Sequence, residues 1–177
     1  MKYLFLKAIL VVTLIFITSS VQAQEFHPYI GIGGGSFTMD SGIAGNSTAG
    51  GGFANFGIDS KMAGAELRVG RTGEASTNYK GINISYGLDT FFSLLGKLHF
   101  SPTDRLRLYA IGGYTTANAR ATASVAGISA SASSTASSGS YGAGLDYRLQ
   151  DHLLIGGEWI RYSLDVSGIA INLKYEF

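Results

Sequence analysis

Residues 169–177 (IAINLKYEF) alternate without a break. Ile169, Ile171, Leu173, Tyr175 and Phe177 fall on one side, and Ala170, Asn172, Lys174 and Glu176 fall on the other. A two-residue period marks a strand with one apolar face. The pattern recurs upstream. In 61–70, Ala63, Ala65, Leu67 and Val69 oppose Gly64, Glu66 and Arg68, and in 141–149, Tyr141, Ala143, Leu145, Tyr147 and Leu149 oppose Gly142, Gly144, Asp146 and Arg148. In 106–114, Leu106, Leu108, Ala110 and Tyr114 share a side, while Tyr109 and Ile111 join Arg107 on the polar one. Eight such segments are placed, near 28–37, 61–71, 79–86, 90–100, 105–117, 139–149, 153–163 and 169–177. With the first running outward, the outer connections are 38–60, 87–89, 118–138 and 164–168, and the inner ones 72–78, 101–104 and 150–152. Ser101-Pro102-Thr103-Asp104 and Gln150-Asp151-His152 carry strong turn chemistry. Residues 121–140 are almost entirely Ala, Ser, Thr and Gly, and read either as a hairpin prolonging its flanking strands or as a loose loop.

Which side of these strands meets water depends on what surrounds them. Lys2 and Lys7 precede an apolar stretch, Ala8–Ile17, broken only by Thr13, and Val21-Gln22-Ala23 has the small-residue pattern of a cleavage site. Residues 1–23 therefore read as a cleaved secretory signal peptide and 24–177 as the mature domain. The apolar stretch is shorter than the ~20 residues that span a bilayer as a helix, and later apolar runs are broken by Gly, Ser or charge. Charged residues make up 14% of the chain, against about 25% in soluble domains. The 25 glycines and 2 prolines suit many strands better than helices. With no cysteine there is neither a disulfide framework nor a thiolate site.

The polar faces hold Glu66, Arg68, Lys97, Arg107, Asp146, Arg148, Glu158, Lys174 and Glu176, nearly balanced in sign. A basic residue turned to lipid at the bilayer midplane would cost about 2–4 kcal/mol. Turned inward in an eight-stranded barrel, whose interior is only wide enough for side chains to fill, the charges can pair across the lumen. Gly31, Gly33, Gly142 and Gly144 leave room for their long stems. The apolar faces carry aromatics near strand ends (Phe37, Phe100, Tyr114, Tyr141, Trp159, Tyr175 and Phe177), as expected of interfacial girdles. The fold class is all-β: an eight-stranded antiparallel up-and-down transmembrane β-barrel, preceded by a cleaved signal peptide.

Candidate chemistry is sparse. Gly31–Ser36 lacks the last glycine of a dinucleotide-binding turn and any helix behind it. His27, His99 and His152 have no second histidine at ligand spacing, so no metal and no cofactor are expected. Once Lys2 and Lys7 are removed, eleven basic residues face twelve acidic ones, which gives no field for nucleic acid. Lys61, Arg120 and Arg161 break the alternation by pointing outward near the presumed outer ends of their strands. They read either as snorkelling or bulged residues, or as contacts to lipopolysaccharide phosphates. Phe53 and Phe56, in the long 38–60 connection, are candidate binding residues on an exposed loop or aromatics folded onto the rim.

The terminal Tyr175-Glu176-Phe177, with apolar Ile171 and Leu173 at alternate positions before it, resembles the C-terminal signal read by the assembly machinery of bacterial outer-membrane barrels. Tyr29–Phe37 (YIGIGGGSF), Ala65–Gly70 (AELRVG), Tyr141–Leu149 (YGAGLDYRL) and Gly156–Tyr162 (GGEWIRY) resemble the OmpA-like/OmpX-like barrel-domain family, also called the porin family. The resemblance covers 24–177. It implies a monomer in the outer membrane whose partners are membrane lipid, lipopolysaccharide, the barrel assembly machinery and an extracellular ligand of unknown kind. Function varies widely within this family. The leading expectation is a barrel without catalytic activity, acting in envelope structure or in surface interaction through extracellular loops. The alternatives are a narrow passive porin-like channel for small solutes and, third, a lipid-A-modifying enzyme.

Overall fold

The computed structural model describes residues 26–40, 45–79, 82–101, 103–125, 128–163 and 165–177; the leader 1–23 lies outside the described residues. Among the described residues nine strands form one antiparallel sheet. They are β1 (His27–Asp40), β2 (Asn46–Asp59), β3 (Ala63–Thr72), β4 (Ala75–Tyr79), β5 (Ile82–Phe100), β6 (Leu106–Val125), β7 (Ile128–Gln150), β8 (Leu153–Arg161) and β9 (Val166–Glu176). The order is β3-β2-β1-β9-β8-β7-β6-β5-β4, and pairing of β3 with β5 closes eight of these strands into a barrel. The short β4 takes over from β3 along the outer part of β5, pairing Ala75 with Tyr86.

Two strands differ from the sequence expectation. Residues 46–59 are a strand and not part of a 38–60 loop: β2 pairs with β1 from Asp40↔Asn46 to His27↔Asp59. Glycine and asparagine have low intrinsic strand preference, and cross-strand pairing on both sides overrides it here. Conversely, 82–86 and 90–100, read as parts of separate strands, belong to one strand, β5, with a bulge at Asp89 that shifts its register against β6; Tyr79 ends β4, and residues 80 and 81 lie outside the described residues. A bulge inserts one residue and resets the alternation, so Gly87-Leu88-Asp89 imitates a turn. The two errors cancel in strand number but misplace the connections between them. Residues 60–62 form an inner turn, and the segment after Thr72 lies at the outer end.

The polarity is inverted relative to a soluble barrel. On β9, Ile169 and Ile171 are each 66% exposed, whereas Lys174 is only 2% exposed. An apolar exterior around a charged interior is stable only in lipid. Tyr114, Tyr141 and Trp159 mark the outer boundary of the apolar belt, with Tyr141 and Trp159 edge to face at 6.1 Å. Phe100, Tyr175 and Phe177 mark the inner boundary. Phe37, expected outside, is buried in the lumen.

Beyond the outer boundary the outward face of β6 and β7 turns hydroxylic. Cross-strand hydrogen bonds join Thr116 to Ser137 (2.9 Å), Asn118 to Thr135 (2.7 Å) and Ser124 to Ser129 (2.8 Å). β7 meets β8 only from Tyr141↔Arg161 inward, yet pairs with β6 up to Val125↔Ile128. Ile128–Ser140 therefore stands clear of β8, over roughly 40 Å of strand at about 3.3 Å per residue. The low-complexity segment is a protruding hairpin.

Candidate functional site

The lumen is filled in two layers. The lower is ionic and centred on Glu66 of β3. Its carboxylate accepts from Tyr29 Oη (2.6 Å), Asn55 Nδ2 (3.0 Å), Lys97 Nζ (2.5 Å) and Arg68 Nη2 (2.6 Å). Arg68 also donates to Glu158 of β8 and to Tyr162 Oη (2.9 Å), and lies 4.1 Å over the Phe53 ring. Lys174 of β9 donates to both oxygens of Asp146 (2.9 and 2.8 Å). Toward the inner mouth, Arg107 bridges Asp59 and Glu176 (3.0 Å each), and Arg148 donates to Glu176 at 2.6 Å. Alternation brings these side chains together, because every second residue of each strand points inward. The rings of Tyr29 and Tyr109 fit because they lie over Gly57 and Gly144, where a Cβ would collide with them.

The arrangement is self-neutralising. Five cations (Arg68, Lys97, Arg107, Arg148 and Lys174) face five anions (Asp59, Glu66, Asp146, Glu158 and Glu176). All nine charged lumen residues expected from sequence lie in this network. Tyr109, which the alternation places on the polar side, joins them, whereas Asn55, Asp59, Tyr29 and Tyr162 lie outside the sequence expectation. Asn55 and Asp59 sit on β2, and their signal was present: in 53–59, Ala54, Phe56 and Ile58 alternate with Asn55, Gly57 and Asp59.

The upper layer is apolar. Phe37, Phe91 and Tyr162 pack with ring centroids 5.2–6.1 Å apart, flanked by Leu95, Ile111 and Ile160. Above it a cavity of about 360 Å³ opens outward, and below the ionic layer a cavity of about 510 Å³ opens at the inner mouth. They share no lining residue, so the two layers separate them.

The remaining candidates disperse. Lys61 lies in the inner turn after β2, at the end opposite the one expected. The missed strand reverses the chain's direction there, so Lys61 is no candidate for outer-leaflet phosphate. Arg120 is on the outer part of β6 and pairs with Asp89 at 3.1 Å. Arg161 ends β8 and donates to the Ser163 carbonyl at 3.2 Å. Phe53 and Phe56 are not on a loop: Phe53 is buried in the lumen and Phe56 faces lipid. Ile171, Leu173 and Tyr175 form a lipid-facing ladder on β9 that Phe177 continues just past its end, and Phe177 N donates to the Pro28 carbonyl at 2.9 Å. His99 Nδ1 lies 2.9 Å from the Ser60 carbonyl and His152 Nδ1 2.9 Å from that of Glu176, both at the inner end. Among the described residues no three His, Cys, Asp or Glu side chains converge as metal ligands.

No curated protein sequence matches the chain. Among solved structures, the attachment invasion locus protein Ail of Yersinia pestis is similar at 19% identity and TM-score 0.55, over 87% of this chain and 99% of that one. Neisserial surface protein A is similar at 9% identity and TM-score 0.61 (85% and 97%), and OprG from Pseudomonas aeruginosa at 14% and 0.52 (88% and 99%). At these identities the likeness is one of fold. The model of the outer membrane protein beta-barrel domain matches residues 8–177, and with the inverted polarity of the barrel it establishes that this chain belongs to that family and resides in the bacterial outer membrane.

Proposed function

We propose that this barrel is a non-catalytic surface-interaction protein, its closed lumen a rigid base for the sheet that β5, β6 and β7 raise above the membrane. The observation that carries the reading is the mismatch in strand length. β6 and β7 have 20 and 23 residues, whereas β8 and β9 have 9 and 11. A barrel needs only about 9–11 residues per strand to cross the bilayer, so the excess serves something outside it. The hydroxyl ladders keep the outer face of that sheet solvated, and the 128–140 edge of β7 offers backbone groups to a partner strand. Ail, the attachment invasion locus protein, also solved in complex with the heparin analogue sucrose octasulfate, supports a surface role for this architecture. Within the reading, Arg120 and Arg161 are the basic groups placed to meet lipopolysaccharide, and the β9 ladder is the segment offered to the assembly machinery.

The test replaces Ala119–Ser134 with Asn-Gly, joining the paired residues Asn118 and Thr135 by a tight turn. Cells expressing the parent should adhere to epithelial monolayers, and cells expressing the shortened barrel at equal surface level should not. Equal adherence would remove the sheet from the function. In planar bilayers the folded parent should be silent; reproducible discrete conductance would favour the channel instead.

A further inference from the structure

The cavity above the aromatic layer has features that adhesion does not require. Its floor is Phe91 and Tyr162, with Met39 and Leu88 beside them, and its wall is the inward face of the protruding sheet, including Ala117, Ala119, Ala132 and Ala136. Below the floor the inward residues, such as Leu95 and Ile111, fill the lumen. Above it they shrink to alanine and serine, with Ser134 and Ser138 alternating with Ala132 and Ala136 along β7, which keeps the surface largely apolar and leaves the space open. Polar groups at the floor already have partners. Thr115 Oγ1 bonds Ser93 and Ser140 at 2.7 Å each, and Tyr162 Oη accepts from Arg68. A polar ligand would therefore gain little there, since a buried polar group needs a partner. Charge is confined to the rim, where Asp40, Asp165 and the Arg120–Asp89 pair lie.

The dimensions narrow the ligand further. The cavity follows β6 from Thr115 to Ala121, about 20 Å at about 3.3 Å per residue. A space long in one direction, apolar along its length and charged only at its rim suits an extended alkyl chain. We propose that this cavity binds a single linear alkyl chain of an amphiphile, with the head group left at the charged rim. The site is independent of the adhesive reading and can fail without it.

The test places the full barrel, with ¹³C-labelled alanine methyls, in lipid nanodiscs. In one arm the lipids are perdeuterated and protonated 1-decanol is added, so any alkyl contact comes from a soluble ligand. In the other the lipids are protonated and nothing is added, so any contact comes from a membrane chain. Nuclear Overhauser peaks between alkyl protons and the methyls of Ala117, Ala132 and Ala136 are expected in at least one arm, and that arm names the source. The outward-facing Ala54 and Ala143 report lipid contact in both proteins of the second arm. Ala119→Trp fills the cavity and should abolish the cavity peaks while leaving those of Ala54 and Ala143. Ala136→Trp, from the neighbouring strand β7, does the same should the first variant fail to assemble. Absence of cavity peaks in both arms, or their survival in a folded Trp variant, overturns the proposal.

Discussion

Arg68→Leu is the sharpest probe of the closed lumen. The Arg68 side chain has no exposure and Glu158 only 1%. Its two carboxylate partners are not equally dependent on it. Without Arg68, Glu66 keeps Lys97 (2.5 Å), Tyr29 (2.6 Å) and Asn55 (3.0 Å). Glu158 keeps only a long contact from Tyr109 Oη at 3.4 Å. The loss therefore falls on Glu158, which becomes a buried carboxylate without a cation. Removing one partner of a buried ion pair costs about 3–5 kcal/mol, chiefly because the other charge is stranded. Glu158→Leu should cost less, about 1.5–3 kcal/mol for the lost charged hydrogen bonds, since Arg68 still holds Glu66 and Tyr162. Arg68→Leu/Glu158→Leu removes both charges and leaves an apolar contact. Such replacements are neutral or better, so the double variant should lie within about 1 kcal/mol of the parent. Urea unfolding in lipid vesicles, followed by Trp159 fluorescence and by the heat-modifiable gel band, reads all three. Additive single costs, or an Arg68→Leu loss below about 1 kcal/mol, would show that water solvates these groups and that the ionic layer does not seal the lumen.

Three further outcomes follow from the placement of single residues. Gly144→Val puts a Cβ 2.5 Å from the Tyr109 ring; overpacking of this kind costs about 1–3 kcal/mol, read as a lower urea midpoint, and an unchanged midpoint would mean the ring has room to move. Phe53→Ala empties a filled lumen and should cost about 3–5 kcal/mol, whereas Phe56→Ala on the lipid face should cost under about 1 kcal/mol; the reverse order in the same assay would invert the facing of β2. In intact cells a membrane-impermeant maleimide should label Arg120→Cys and not Lys61→Cys, with both labelled after the outer membrane is permeabilised; labelling of Lys61→Cys in intact cells would restore the outer placement of that turn.

The parts of this fold legible in the sequence are those where strong apolar side chains alternate with charge. β9, β3 and the membrane part of β7 announce their facing, and with it the lumen set from Glu66 to Lys174. β2 alternates over 53–59, but its outer half is too small and mixed to be read as a strand, and that half hides the whole element. Gly50, Gly51 and Gly52 carry no pattern, and the inward Phe53 sits one residue out of phase with the outward Ala54 and Phe56. What fixes β2 is not its own preference but neighbours on both sides, which a linear reading does not contain. The aromatic layer was hidden for a related reason: in a membrane barrel a phenylalanine suits either face, so Phe37 could be assigned only once its contacts with Phe91 and Tyr162 were known.

The bulge at Asp89 links these errors to the outer cavity. Below it, odd-numbered residues of β5 point inward: Phe91, Ser93, Leu95 and Lys97 are all buried. Had that phase continued, Asp89, Gly87 and Ser85 would line the space above the aromatic layer, and Leu88 and Tyr86 would face water. The extra residue reverses the phase. Leu88 then pairs with Ala119 and Tyr86 with Ala121, both on the inner side, while Asp89 turns out to meet Arg120. Leu88 N is satisfied by Thr72 Oγ1 at 2.9 Å, so the interrupted ladder leaves no orphaned donor there. The residue that makes Gly87-Leu88-Asp89 resemble a turn is thus the one that keeps the cavity wall apolar. A strand whose only task was to cross the membrane would have no need to reset its phase at the outer interface. The phase change is accounted for by what the inner face of the protruding sheet has to present.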